Sequence, residues 1–191
     1  MPSPVAHIGL ALAAEHLLRR PGVARSPRVV ATVAVTAVAA DLDLLPDLWL
    51  GDGIHFHHGP THSLVGALVI GALGVAALGA RRSGPAAAAC LVAALLHAPL
   101  DYTTGEPGAP EKYGVQFFWP ASARRYIDPQ PYFGAYHIDR EGGLLHMFTG
   151  DAAANYGVEL ATVAVAWVVA GLGASAARRV AQRGALTSTN S

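Results

Sequence analysis

Four imidazoles occupy eight positions in the stretch His55-Phe56-His57-His58-Gly59-Pro60-Thr61-His62, and after Ser63 a wholly apolar run begins. A neutral imidazole offers a nitrogen lone pair near pH 7, which makes histidine the commonest side-chain metal ligand; zinc, manganese and iron sites usually combine it with carboxylates. Carboxylates are close in the chain. Asp41-Leu42-Asp43 lies upstream with Asp47 beyond it, and His97 precedes Asp101 by one helical turn, which puts the two on one helix face. Three separated segments bring hard or borderline ligands, and this convergence argues against a merely solvated histidine loop.

The candidate ligands are Asp41, Asp43, His57, His62, His97 and Asp101, with His7 as a further member, holding one or two divalent ions. Zinc is the first expectation, with manganese and iron as alternatives. Such ions lower the pKa of bound water and polarise an electrophilic centre, so the expected chemistry is hydrolysis of a phosphoester or ester. Asp101 or Asp43 is the candidate general base wherever it is not consumed as a ligand. Metal-bound imidazoles need acceptors to orient them, and His58, Thr61, Ser63 and Thr103 are candidates for that supporting shell. Arg124 and Arg125 would clamp an anionic substrate, because guanidinium pairs well with phosphate oxygens; solvated surface arginines are the plainer reading. His137, Asp139, His146 and Asp151 read first as polar loop residues, with additional ligation as the alternative. Asp47 and Asp52 read as solvated turn residues.

The elements that must carry these residues are apolar. Hydrophobic residues make up 52% of the 191, and charged residues only 14% against the usual quarter, which points to the membrane. Equal numbers of acidic and basic residues leave no basic excess for nucleic acid, which is excluded as a partner; membrane lipids are expected instead. Cys90, the one cysteine, lies inside an apolar run and reads as a small buried hydrophobe. Residues 5–18 form a short apolar segment followed by Arg19-Arg20; a cleaved secretory signal carries its positive charge before the apolar region, so this is not read as one. Segments 64–80, 84–100 and 160–177 have the length and polarity to cross a bilayer, and 29–50 is apolar for its first twelve residues. The expected fold is therefore all-α: a polytopic membrane bundle of four to five segments forming a single domain over 1–184. Residues 101–156 form an outer polar region, Phe117, Phe118 and Trp119 serve as interface anchors, and 185–191 is a disordered tail.

Arginines orient the bundle. Arg19, Arg20, Arg25 and Arg28 precede one segment, Arg81 and Arg82 fill a link, and Arg178, Arg179 and Arg183 follow the last; the positive-inside rule places all three clusters in the cytoplasm. Threaded accordingly, every candidate ligand falls on the opposite, non-cytoplasmic side. Helical rise puts Asp41 roughly 20 Å beyond Arg28 and His97 roughly 22 Å beyond Arg82, near the outer edge of a hydrocarbon core about 30 Å thick. Aspartates at that depth require neutralisation, which a bound cation supplies.

The ordered set His7, Asp41-Leu42-Asp43, His57-His58-Gly59-Pro60-Thr61-His62-Ser63, His97-Ala98-Pro99-Leu100-Asp101, Thr103-Thr104-Gly105 and Trp119-Pro120 resembles the LexA-regulated, inner-membrane-associated metal-dependent hydrolases. More distantly it is similar to zinc-dependent phospholipase C. The resemblance covers about residues 3 to 120 and implies a mostly helical, membrane-embedded protein with a hydrolase site. Two departures stand out: the position between His57 and Gly59, often arginine in the family, is His58, and Leu44-Leu45-Pro46 follows the aspartate pair where some members carry histidine. A site at membrane depth suggests a small-molecule or lipid-linked substrate. A metal or proton transporter, which would need ionisable residues along the full depth, and a scaffold with a structural metal are the competing classes.

Overall fold

A computed structural model describes residues 2–50, 56–79, 83–106, 108–134 and 150–188. The described elements are α1 (Pro4–Leu18), α2 (Pro27–Val38), a 3-10 turn at Ala39–Asp43, α3 (Leu44–Leu50), a second 3-10 turn at Pro60–His62, α4 (Leu64–Leu78), α5 (Gly84–Tyr102), α6 (Pro110–Tyr113) and α7 (Gly150–Ser188). Among the described residues the chain is helical, with two isolated β-bridges and no strand. Prolines open α1, α2 and α5, where the missing N–H costs nothing. The hydroxyls of Ser63 and Ser83 accept from the Gly66 and Ala86 amides and cap α4 and α5.

Helix α5 is central, packing against α1, α2 and α4, while α7 lies along α1. The packing is close because the contact residues are small. Gly74 of α4 meets Thr36 of α2 and Cys90 of α5, and Gly9 of α1 and Gly173 of α7 each receive a side chain of the other helix, Val163 and Leu17. The core is correspondingly alanine-rich: Ala11, Val33, Ala37, Ala89, Cys90 and Ala93 are all buried. Outward faces stay apolar, with Leu68, Val69 and Leu73 of α4 and Val165, Val168 and Leu172 of α7 more than half exposed.

Among the described residues three helical stretches are long and apolar enough to cross a membrane: Pro27–Asp47, Gly84–Tyr102 and Ala152–Arg183. The expected segment over 64–80 is shorter: α4 ends at Leu78, where Gly79 takes a left-handed φ of 55°. Helix α7 extends to Ser188, and residues 189–191 of the expected tail lie outside the described residues. His137, Asp139 and His146 lie outside the described residues, as do Asp52, Arg81 and Arg82.

Contacts fix which ends lie together. Arg28 at the start of α2 donates to the Ala77 carbonyl at the end of α4, and Glu15 near the end of α1 pairs with Arg25 at 3.0 Å. Ser3 reaches Glu159 while Leu17 meets Gly173, so α1 and α7 run parallel and Arg178 comes to the Arg19 end. The opposite ends converge on the histidines.

Candidate metal centre

The cluster residues are delivered by four local features. The 3-10 turn at Ala39–Asp43 tightens the chain after α2 and presents Asp41 and Asp43; the last turns of α5 present His97 and Asp101; the first turn of α1 presents His7. The histidine loop is held from two sides. Asp47 accepts the backbone amides of Phe56 (3.1 Å) and His57 (2.9 Å), and Arg125 donates to the carbonyls of His57 and Gly114, each at 3.0 Å. The Gln116 amide donates to the His58 carbonyl, so the segment after α6 forms a cover over the loop.

Two ligand groups result. Asp41, His62, His97 and Asp101 form one, His57, His58 and His62 another, with the donor atoms in each within 4.8 Å of one another. His62 Nε2 stands 3.1 Å from His97 Nε2, 3.2 Å from Asp101 Oδ2 and 3.7 Å from Asp41 Oδ1; His97 Nε2 stands 3.2 Å from Asp101 Oδ2 and 3.3 Å from Asp41 Oδ1. Donors 2.0–2.1 Å from a shared tetrahedral centre stand about 3.4 Å apart, so these separations are those of a zinc-sized site.

Tautomers follow from the outer partners. The Ala37 carbonyl lies 2.6 Å from His97 Nδ1 and the Tyr113 carbonyl 2.9 Å from His58 Nδ1; a carbonyl only accepts, so both Nδ1 atoms carry a proton, and in the neutral imidazole each Nε2 keeps its lone pair. Asp43 does the same for two imidazoles, accepting from His57 Nδ1 at 2.7 Å and His62 Nδ1 at 3.0 Å while the Thr61 hydroxyl donates to its Oδ2. Lone pairs and carboxylate oxygens therefore face one another across the centre. His7, Asp41, Asp101 and His58 Nε2 are buried there without a hydrogen-bond partner. Stranding that many buried acceptors is costly, and a cation satisfies them together.

Electrostatics of the loop histidines show that the carboxylates favour positive charge at the centre, whether as a proton on His62 or as a cation. Burial opposes a charged His62, yet Asp101, Asp41 and Asp43 outweigh it and carry the imidazole well above the ordinary histidine range. Burial, reinforced by neighbouring His57, holds His58 well below that range. His58 also adopts a left-handed φ of 61°, a conformation that costs a non-glycine residue about 1–2 kcal/mol.

Several expectations are redistributed. Asp41, His62, His97 and Asp101 meet as expected, with His7 Nε2 3.6 Å from Asp101 Oδ1. Asp43, expected as ligand and base, has both oxygens engaged in orienting His57 and His62, whereas His58, expected in a supporting role, points Nε2 at Asp101. Thr61, expected in a supporting role, donates to Asp43. Ser63 caps α4, and Thr103 donates to the Leu100 carbonyl at the end of α5, so neither hydroxyl orients an imidazole. Arg125 is turned inward as a loop brace, while Arg124 is exposed over the Tyr126 ring. Asp47 is buried, contrary to the solvated-turn reading, because two loop amides require its carboxylate. Glu159, which sequence reasoning did not single out, is fully buried and accepts from the amide and hydroxyl of Ser3, anchoring the helix that carries His7. Its only signal was a carboxylate at the edge of an apolar run.

The sequence profile of the YdjM inner membrane protein family matches residues 1–181. The chain belongs to that family. No curated protein and no solved structure matches it. Membership makes this YdjM protein an inner membrane protein, in keeping with its three long apolar helices. In this YdjM chain Asp43→Asn, which keeps one acceptor but removes the charge shared by two imidazoles and Thr61, is expected to weaken zinc affinity about 10–100-fold. Competition against a chromogenic chelator measures it.

Proposed function

We propose that this chain is a membrane-bound, metal-dependent hydrolase acting on a phosphoester or ester, with a lipid-linked substrate favoured. The observation that carries the reading is the set Asp41, His62, His97 and Asp101, whose Nε2 atoms and carboxylate oxygens converge within 4.8 Å of one another, with the Asp41 and Asp101 oxygens buried and without a hydrogen-bond partner. Zinc is the cation the donor set suits best, manganese or iron the alternatives. A divalent cation held there supplies a Lewis acid and, from water, a nucleophile at neutral pH.

The chain's own residues set the conditions. Asp43, Ala37 and Tyr113 hold the imidazoles in the tautomer that ligates, and Asp47 and Arg125 fix the loop that carries them. A cleft of about 700 Å³ beside the end of α5, lined by Tyr102, Arg124, Arg125 and Tyr126, offers the exposed Arg124 guanidinium to an anionic group. Helices α1 and α4 join the three longer ones in the bilayer, giving a multi-pass bundle with arginine ends inside and the cluster at the non-cytoplasmic ends. Support comes from the clustering of Arg19, Arg25, Arg28 and Arg178 at the end away from the histidines and from the exposed apolar face of α4.

The test is hydrolysis by detergent-purified, zinc-loaded protein, with soluble phosphodiesters and carboxyl esters screened beside labelled lipids in bilayers. Turnover of lipid that disappears in His97→Ala is expected. Turnover of soluble phosphodiesters with none in bilayers would remove the lipid-linked part, and a metal-loaded protein inert toward every substrate would leave the cation structural.

A further inference from the structure

Asp101 is fully buried, and its two oxygens face different partners. Oδ2 is 3.2 Å from the Nε2 atoms of both His62 and His97, whereas Oδ1 is 3.6 Å from His7 Nε2 and 3.9 Å from His58 Nε2. We infer that the cluster holds two cations bridged by Asp101, the second bound by His7, His58 and Asp101 Oδ1. This rests on the hydrolase reading for the first cation and adds a separate site to it.

One ion does not account for the geometry. Asp41, His62, His97 and Asp101 Oδ2 already complete a tetrahedral set, as their separations near the tetrahedral value indicate. That leaves His7, 2% exposed, and His58, likewise 2% exposed, each with its Nε2 near the remaining Asp101 oxygen and no hydrogen-bond partner for either Nε2. Since Tyr113 accepts from His58 Nδ1, the Nε2 of His58 meets Oδ1 as acceptor against acceptor. A cation between them resolves the conflict. The left-handed backbone at His58 points the same way: strain is kept where it aims a side chain at a function.

The two sites differ in kind. Four protein ligands close the first, while three at the second leave a position open, the arrangement of catalytic zinc sites. Water or a substrate oxygen is therefore received on the His7 and His58 side. The long separation at His58 suits a site that tightens when filled.

Manganese titration of detergent-purified full-length protein, read by elemental analysis and electron paramagnetic resonance, decides this. Two equivalents per chain with an exchange-coupled spectrum are expected for the wild type. His58→Asn, a residue tolerant of left-handed backbone, and His7→Ala, on another helix, should each retain one equivalent with an uncoupled spectrum. One equivalent in the wild type, or two in both variants, would overturn the second site and leave the hydrolase reading standing. No bound manganese or zinc in the wild type would remove both.

Discussion

Asp101→Asn is expected to abolish hydrolysis, by at least ~1,000-fold, and to leave the purified protein without stoichiometric metal. The side chain is fully buried at the end of α5, and four imidazole nitrogens lie within 3.9 Å of its oxygens. Asparagine fills the same volume, so packing against α1 and α4 is kept. It removes the negative charge and replaces one acceptor with a donor aimed at lone pairs. The loss should exceed the ~10–100-fold seen when an outer partner of a ligand is removed, the effect assigned above to Asp43→Asn. Circular dichroism and elution volume should match the wild type, and zinc content with initial rates gives the result. Asp128→Asn, in the loop after α6 where the Asp128 carboxylate accepts only the Gln130 amide among its described hydrogen bonds, should change neither.

The second large effect is on stability. Removing the proposed cation leaves the buried Asp41 and Asp101 carboxylates with only a proton on His62 to offset their charge. A metal present at about 1,000 times its Kd stabilises the folded chain by ~4 kcal/mol, which for a domain of this size corresponds to a melting shift of ~10 °C. Treatment with a strong chelator should lower the melting temperature by about that amount, and added zinc should restore it. Asp101→Asn should already melt low and respond to neither. A wild-type melting curve indifferent to chelator, at a chelator concentration shown to strip the metal, would contradict a cation that ties the Ala39–Asp43 turn and the histidine loop to α5.

How much of this the sequence carried differs residue by residue. His97 and Asp101 were legible because four-residue spacing on a helix fixes a shared face whatever the tertiary fold. His62, with Asp41, was legible from the ordered motif, and the clustering of the arginine ends followed from charge alone. The division of labour among Asp43, His58 and Asp47 was not, because it depends on side-chain direction in irregular backbone. Asp41 and Asp43 sit two apart on a 3-10 turn and so aim differently, and the left-handed φ at His58 swings its ring toward Asp101 instead of away. Asp47 looked solvated because its partners are backbone amides nine and ten residues on, which carry no residue-type signal. Glu159 pairs with Ser3 across 156 positions, beyond any local pattern. The extent of α4 turned on Gly79 ending the helix at Leu78.

The central claim is that the buried histidine and aspartate cluster holds a divalent cation, and elemental analysis of the protein purified in detergent with zinc and manganese in all buffers tests it most directly. The account predicts at least one stoichiometric equivalent of metal in the wild type and its loss in His62→Ala, since His62 stands in both ligand groups and touches Asp41, Asp101 and His97. A wild type that carries no metal, or a His62→Ala protein that retains the full wild-type content, would contradict it.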